Sequence, residues 1–460
     1  MRFAHQPVAI AGAGPTGALL AILLARRGLR VTLYERRRDP RGASGDLGRS
    51  INLALADRGM HALERAGLLE EIRPLLVPMR GRFVHPADAP GGLQPYGRRP
   101  GEVIHSISRR RLNGALIDAA ARAGIEVRFQ CRLESADFTA RLARFRDQHA
   151  RRSLEIPMRP LLAADGAGSV LRRSMAAQGL IAAEESDLEH GYKELTIPAG
   201  PSAGGRLERE ALHIWPRGGY MLIALPNLDG SFTATLFLPM RGSASFAGLD
   251  SPRAIDEFLS ASFPDARALM PDCVAEFARN PTGSLGTVHA RGWHVSGSAA
   301  LVGDAAHAIV PFHGQGMNCC FEDCLQLDAC LERQPAWESV FEEFYALRKP
   351  NTDAIAEMAL ENYREMRERV VDPAFRLQQA LAHELERRHP QRFIPRYSMV
   401  MFHHEIPYRT ALERGAVQAQ ILAELTAGAD TLEQVDYARA ARLIEAGLAP
   451  LPHRSSVTKL

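Results

Sequence analysis

Long hydrophobic runs are missing from this 460-residue chain: no stretch of 18 or more apolar residues occurs, so no helical membrane span is expected. The N-terminus does not read as a signal peptide, because its apolar run starts inside the first predicted strand. An excess of one charge is missing too. Fifty-six Lys and Arg stand against 53 Asp and Glu, a net charge of +3. That gives no reason to expect nucleic acid or an anionic membrane as partner. Cysteine is scarce, at six residues. Cys319, Cys320, Cys324 and Cys330 sit close together but lack the paired C-x-x-C or matching histidines of a zinc site, and read as packing groups on a helix. His383-Glu384 is followed by His389, two positions too late for H-E-x-x-H. No metal is therefore expected. Internal repeats and low-complexity linkers are absent as well. The terminal Thr458-Lys459-Leu460 departs from a Ser-Lys-Leu peroxisomal address, which leaves a reducing cytoplasm as the expected compartment.

What the chain does contain is an α/β pattern. Its 46% hydrophobic and 24% charged composition is that of a soluble globular protein. Its length suits roughly three domains of about 150 residues each. Residues Pro7–Ala11 form a short apolar run read as a buried parallel strand, Ala18–Arg27 a helix ended by Gly28, and Val31–Tyr34 a second strand. Residues Ser50–Leu76 read as mostly helical, Ser108–Ala123 as a helix, and Ile125–Phe129 and Pro160–Ala164 as strands. Between His190 and Met240 the pattern turns to antiparallel strands at Leu212–Pro216, Tyr220–Leu225 and Phe232–Leu238. A helix over Ala254–Phe263 and strands over Thr287–His294 and Ala299–Val302 follow; Gln315–Leu331 and most of Trp337–Ala446 read as helix. The expected architecture is a Rossmann-like dinucleotide domain made of residues 1–75, 101–189 and 281–336. An antiparallel-sheet domain from 76–100 and 190–280 is inserted in it, and a helical region covers 337–460.

Chemistry concentrates in two distant segments. Gly12, Gly14 and Gly17 make a G-x-G-x-x-G between the first strand and helix. The first glycine permits the tight turn, the second lets backbone approach phosphate, and the third lets the helix pack on the strand. A pyrophosphate then sits at the helix N-terminus. Glu35 ends the second strand, where a carboxylate accepts ribose hydroxyls. That much suits NAD or FAD. The second segment, Gly303-Asp304 followed by Gly314-Gln315-Gly316-Met317-Asn318, decides for FAD. A strand-end carboxylate is placed for a ribityl hydroxyl, and free N–H groups at the next helix start face a reduced isoalloxazine. Arg109 at a helix start offers a planar fork to flavin or pyrophosphate. Asp165-Gly166 marks another acidic turn, either structural or in contact with the cofactor. His307 and His313 stand as acid–base candidates against a structural reading.

These residues, with Gly48–Leu55, Pro78–Arg82, Ser106–Arg109, His190–Pro198, Gly303–Asn318 and Phe393–Tyr397, closely resemble the class A flavoprotein monooxygenases of the 4-hydroxybenzoate hydroxylase type and, among them, the kynurenine 3-monooxygenase family. The resemblance runs from about residue 7 to about residue 402. It implies an FAD- and NADPH-dependent enzyme that hydroxylates L-kynurenine to 3-hydroxy-L-kynurenine with dioxygen, through a flavin hydroperoxide. It further implies that Arg82 pairs with the substrate carboxylate, that Tyr96, Asn362 and Tyr397 hydrogen-bond the amino acid end, and that Phe237 and Phe312 line the ring pocket. His313 and Gln315 lie nearby as catalytic candidates. On the cofactor side it implies Thr16, Tyr34, Glu35, Arg36, Arg37, Ala54, Arg109, Leu133, Asp304, Gly316, Met317 and Asn318. Some family members carry phenylalanine where His313 stands, so an imidazole is not universal there. The hydrophobic C-terminal anchor of mitochondrial members is absent, and a homodimer stays open. The competing readings are a related hydroxylase of phenols or benzoates, a flavin-binding sensor without turnover, and a NAD-binding protein without flavin.

Overall fold

In a computed structural model, which describes residues 3–42, 52–99, 101–200, 207–370 and 372–451, the chain forms two principal sheets and a helical C-terminal region. Gly48–Ile51 and the terminal Thr458–Leu460 lie outside the described residues. The first sheet has six strands, in the spatial order His294–Val295, Ala299–Leu301, Leu161–Ala163, Pro7–Ala11, Arg30–Tyr34 and Glu126–Arg128. All neighbours are parallel except the His294–Val295 edge. Its inner strands are fully buried Val, Ile, Leu and Ala, which is why they read as continuous apolar runs rather than alternating ones. The Pro15–Arg26 and Gly316–Arg333 helices pack against each other and share this core.

The second sheet has seven strands, in the order Gly283–Arg291, Ala182–Ile197, Phe232–Pro239, Met221–Pro226, Ala211–Pro216, Gly81–Val84 and Gly92–Pro95. Only the Ala211–Pro216 to Gly81–Val84 pairing is parallel. The divisions read at residues 190 and 281 do not coincide with its edges. Ala182–Ile197 is one continuous strand across the first, and Gly283–Arg291, beyond the second, hydrogen-bonds to it. One face packs on the helices Pro252–Ser262, Pro264–Leu269 and Cys273–Arg279 through Trp215, Phe232 and Phe263. The other face meets Phe312 and Tyr363.

Two sequence expectations are corrected. The mostly helical reading of residues 50–76 fails at Asn52–Leu55, a strand paired antiparallel with Ile104–Ser108; helix begins only at Asp57–Arg65. The strand rests on pairing with a segment some fifty residues away, which local periodicity does not carry. A three-stranded sheet, Cys131–Asp137, Leu142–Asp147 and Arg152–Pro157, was not anticipated. Its strands mix short apolar inward positions with Arg and Glu outward, and only one face is covered. The large helical run ends as expected in helices, and among the described residues no helix is long and apolar enough to cross a membrane.

The glycine turn is built to tolerance. A Cβ on Gly17 would stand 2.0 Å from the Gly12 carbonyl oxygen, whereas one on Gly14 would meet nothing within 4 Å. Gly17→Ala is therefore expected to lower stability by about 1–3 kcal/mol through forced overpacking, and Gly14→Ala to leave it near wild type. Thermal unfolding of the flavin-free proteins checks both, and equal losses would contradict this account.

Candidate functional site

Three strand ends meet at one place. The turns after Pro7–Ala11, Leu161–Ala163 and Ala299–Leu301 carry Gly12, Asp165 and Gly303-Asp304, at the carboxyl edge of the sheet where open α/β sheets bind ligands. Gly12 takes φ 100° and Gly303 φ 66°, both left-handed conformations that favour glycine. Glu35 closes the turn from the side: one carboxylate oxygen accepts the Ala13 N–H and the other the Arg37 N–H, each at 2.9 Å. Gly14 caps the Pro15–Arg26 helix with no side chain over its N–H groups, so that end of the helix is open to an anion. Asp165 is half-buried, its pKa pushed up by desolvation, and its buried Oδ1 has no hydrogen-bond partner among the described residues. An orphaned buried oxygen beside an open helix start is what a hydroxyl-bearing dinucleotide would satisfy. The residues present fit FAD.

From there a cavity of 330 Å³ runs between the two sheets. Pro15, Thr16, Ala54, Arg109, Asp304, Gly316 and Met317 line one end of it. Arg82, Tyr96, Phe237, Phe312, His313, Asn362 and Tyr397 line the other. The expected cofactor and substrate groups are thus brought to one cavity. Arg109 reaches it because Ser108 caps the Arg109–Arg122 helix, accepting the Arg111 N–H at 3.5 Å. Phe237 and Phe312 meet edge-on at 4.9 Å between centroids, Phe312 stacks on Tyr363 at 3.9 Å, and Asn362 donates to the Phe312 carbonyl at 2.7 Å.

Other expected site residues lie outside its lining. Gln315 is fully buried: its amide donates to Met401 Sδ at 2.9 Å, and its oxygen accepts the Tyr408 hydroxyl at 2.7 Å. Its side chain holds the loop in front of the Gly316–Arg333 helix. Asn318 is a staple as well. It donates to the Ala54 and Gly314 carbonyls at 2.8 Å each and accepts the Ala56 N–H at 2.9 Å. Leu133 and Tyr34 are core residues near Phe145, and Arg36 and Arg37 are exposed at the rim. Sequence reasoning missed Tyr192, Leu285 and Cys320 among the lining groups. Pairing across the sheet brings Tyr192 and Leu285 there and the start of the Gly316–Arg333 helix brings Cys320, none of which a local pattern signals.

The electrostatics of the substrate end are those of a dry cavity. Burial lowers the His313 pKa to about 4, so its ring is neutral at pH 7, stacked 5.3 Å from Tyr397. Burial raises Tyr96 and Tyr397 instead, keeping both as hydroxyl donors. Arg82 supplies a cation; its Nε donates to Gln94 at 3.1 Å, and its NH2 lies 3.4 Å from Glu365. Glu365 opens a π-helical stretch, Glu365–Arg369, a local geometry frequent at functional positions. Beyond Tyr96 and Tyr397 lies a second cavity of 170 Å³ that shares Arg82, His313 and Asn362 as walls.

The family described as FAD binding domain matches residues 5–334. Kynurenine 3-monooxygenase of Stenotrophomonas maltophilia (strain K279a) is 49% identical over 97% of this chain and 98% of its own length. The kynurenine 3-monooxygenase of Myxococcus xanthus (strain DK1622) is 47% identical over 96% of each chain. The chain belongs to the kynurenine 3-monooxygenase family. It is thereby an FAD-dependent monooxygenase of class A. Solved structures share the fold at lower identity. The tetrameric form of 2-methyl-3-hydroxypyridine-5-carboxylic acid oxygenase superposes with TM-score 0.64 at 20% identity, covering 83% of this chain and 98% of its own. The p-nitrophenol 4-monooxygenase PnpA from Pseudomonas putida DLL-E4 gives 0.64 at 18%, covering 83% and 94%.

The neutral histidines of this family member set its acid limit. His313 and the buried His213 are both held to about 4, below their usual 6.5. An unfolded chain binds the protons that these rings refuse, so their contribution is complete above pH 6.5 and is lost as pH falls toward 4. Thermal midpoints between pH 7 and pH 4 should fall steadily, and a His313→Phe variant should lose less over that range. An identical pH slope in the variant would count against a neutral buried ring.

Proposed function

We propose that this protein converts L-kynurenine, dioxygen, NADPH and a proton to 3-hydroxy-L-kynurenine, NADP⁺ and water, on FAD held between Gly12–Gly17 and Asp304. The observation that carries the reading is a single cavity whose one end is the dinucleotide edge of the sheet and whose other end holds a half-buried arginine with two tyrosine hydroxyls. Bound FAD supplies hydride acceptance and oxygen activation. Everything else is binding, orientation and exclusion of water by this chain.

On this reading Gly14 and the open start of the Pro15–Arg26 helix take the pyrophosphate, Glu35 a ribose, and Asp304 the ribityl chain. The backbone N–H groups of Gly316, Met317 and Asn318 at the helix start would favour negative charge on the flavin ring. Arg82 exchanges Glu365 for the substrate carboxylate, a charge-assisted contact worth about 1.5–3 kcal/mol. Tyr96, Tyr397 and Asn362 address the amino acid end. Phe237 and Phe312 form the walls against which the aniline ring lies. His313 and Gln315 act by position: one is a neutral ring, the other a buried loop brace. The two-sheet frame divides as a flavin unit and a substrate unit, the latter including strands at 182–197 and 283–291. Six unpaired cysteines support a reducing compartment.

The deciding experiment is NADPH consumption with and without L-kynurenine, with 4-hydroxybenzoate as comparison and the product identified by mass. Stimulation by kynurenine and a gain of one oxygen atom are expected. Stimulation by the benzoate alone, or flavin without turnover, would favour the competing readings. Arg82→Ala should raise KM for kynurenine about tenfold or more, from the lost charge-assisted bond, while flavin content stays whole. An unchanged KM would remove Arg82 from the substrate site.

A further inference from the structure

The turn that presents Asp304 is gripped from behind by a buried ion cluster. Asp323, on the Gly316–Arg333 helix, is fully buried. Its Oδ2 accepts the Gly303 N–H at 3.0 Å and His307 Nε2 at 2.5 Å. Its Oδ1 accepts Arg348 Nε at 2.6 Å, and that guanidinium is 2% exposed. Gly303 and His307 bracket the one-turn helix Asp304–His307, so a single carboxylate holds both ends of the segment that carries Asp304. The turn is also closely approached from the front, leaving no room for a side chain at Gly303. A Cβ on Gly303 would come to 3.0 Å from Cys320 Sγ and 3.1 Å from Thr16 Cγ2.

The cluster extends away from the cavity. Arg348 meets Glu322 at 2.9 Å, and the other oxygen of Glu322 accepts Arg58 at 3.0 Å. Arg58 in turn donates to the carbonyls of His403, His404 and Ile406. His307, Cys319 and Asp323 lie close enough to share a cation, yet the Arg348 guanidinium already bonds both Asp323 and Cys319. Apolar packing stabilises an interior at least as well as buried ions do. The specific return here is direction: two side-chain donors, from His307 and Arg348, orient one carboxylate, which fixes one backbone amide.

We propose that Asp323, oriented by His307 and Arg348, is a positioning residue for the cofactor: it fixes the Gly303 amide and so the direction in which Asp304 presents its carboxylate to the ribityl chain. The proposal rests on the assignment of Asp304 to FAD. Outer partners that orient a ligating group commonly affect affinity about 10–100-fold.

The test measures FAD dissociation constants by quenching of flavin fluorescence on the deflavinated protein. Asp323→Asn and His307→Ala should each weaken FAD by about 10–100-fold, and His307→Gln, which keeps a donor, should recover most of the loss. Combined with Asp304→Ala, neither should weaken FAD further, because the group they aim is gone. A loss that multiplies undiminished in the double variants would assign the cluster to folding alone and overturn the proposal, as would wild-type affinity in the single variants. If Asp323→Asn does not fold, the His307 variants decide. Wild-type affinity in Asp304→Ala would overturn the cofactor reading itself, a result distinct from the others.

Discussion

Parallel pairing between Pro7–Ala11, Leu161–Ala163 and Ala299–Leu301 is the constraint from which the site follows. Their backbone groups are buried and must be paired, and within the strands they pair with one another. The ladder continues one step past each strand: Gly12 donates to the Tyr34 carbonyl, Ala164 to Ala11 and Val302 to Ala163. Three turns from distant parts of the chain therefore leave the sheet at the same level. A slip of one residue in either pairing would carry one turn about 3.3 Å away from the level of the others. The apolar runs that make these strands easy to recognise are thus the same feature that fixes where the glycine turn and Asp304 stand.

That explains what was legible. The first β-α-β unit, the helix after Ser108 and the strands at 211–239 carry their own local signals: apolar runs, caps, and glycines at left-handed positions. The three-stranded sheet at 131–157 and the strand Asn52–Leu55 do not, since each is defined by a partner rather than by its own pattern. Among site residues, glycines and strand-end acids declare themselves because few backbone geometries suit them. Gln315 reads as a catalytic candidate and Asn318 as a cofactor contact in sequence because they flank the Gly316 helix start. Their partners, Met401, Tyr408, Ala54 and Ala56, come from elsewhere, and only the fold reveals that both side chains brace the loop. Asp323 was silent for the converse reason: an aspartate inside a helix carries no mark of burial.

The interior distributes charge by the same logic. Where a cation is buried with partners, as Arg348 is by Asp323 and Glu322, it holds backbone in place. Where a titratable ring is buried without one, as His313 is, it gives up its proton and becomes a wall. Desolvation alone disfavours the charged form of every group it reaches, so a cavity lined this way ends with neutral phenols, a neutral imidazole and one guanidinium, Arg82, beside Glu365.

Arg82 is the exception that gives the cavity its selectivity. Its partner Glu365 stands at 3.4 Å, long for a charge-assisted bond, and both side chains keep some exposure, at 13% and 19%. The pair is loose enough to exchange and close enough that Arg82 is never left bare. On the proposed function, an incoming carboxylate would replace one counter-ion by another, so the cavity would gain a ligand without first paying to desolvate a lone cation. A ligand without a carboxylate at that distance from its ring gains nothing from the exchange. Glu365 begins the π-helical stretch and lines the second cavity, so a displaced side chain has space to enter. On the proposed function, the same geometry that pairs Arg82 in the empty site would therefore discriminate between an amino acid and a simple aromatic ring.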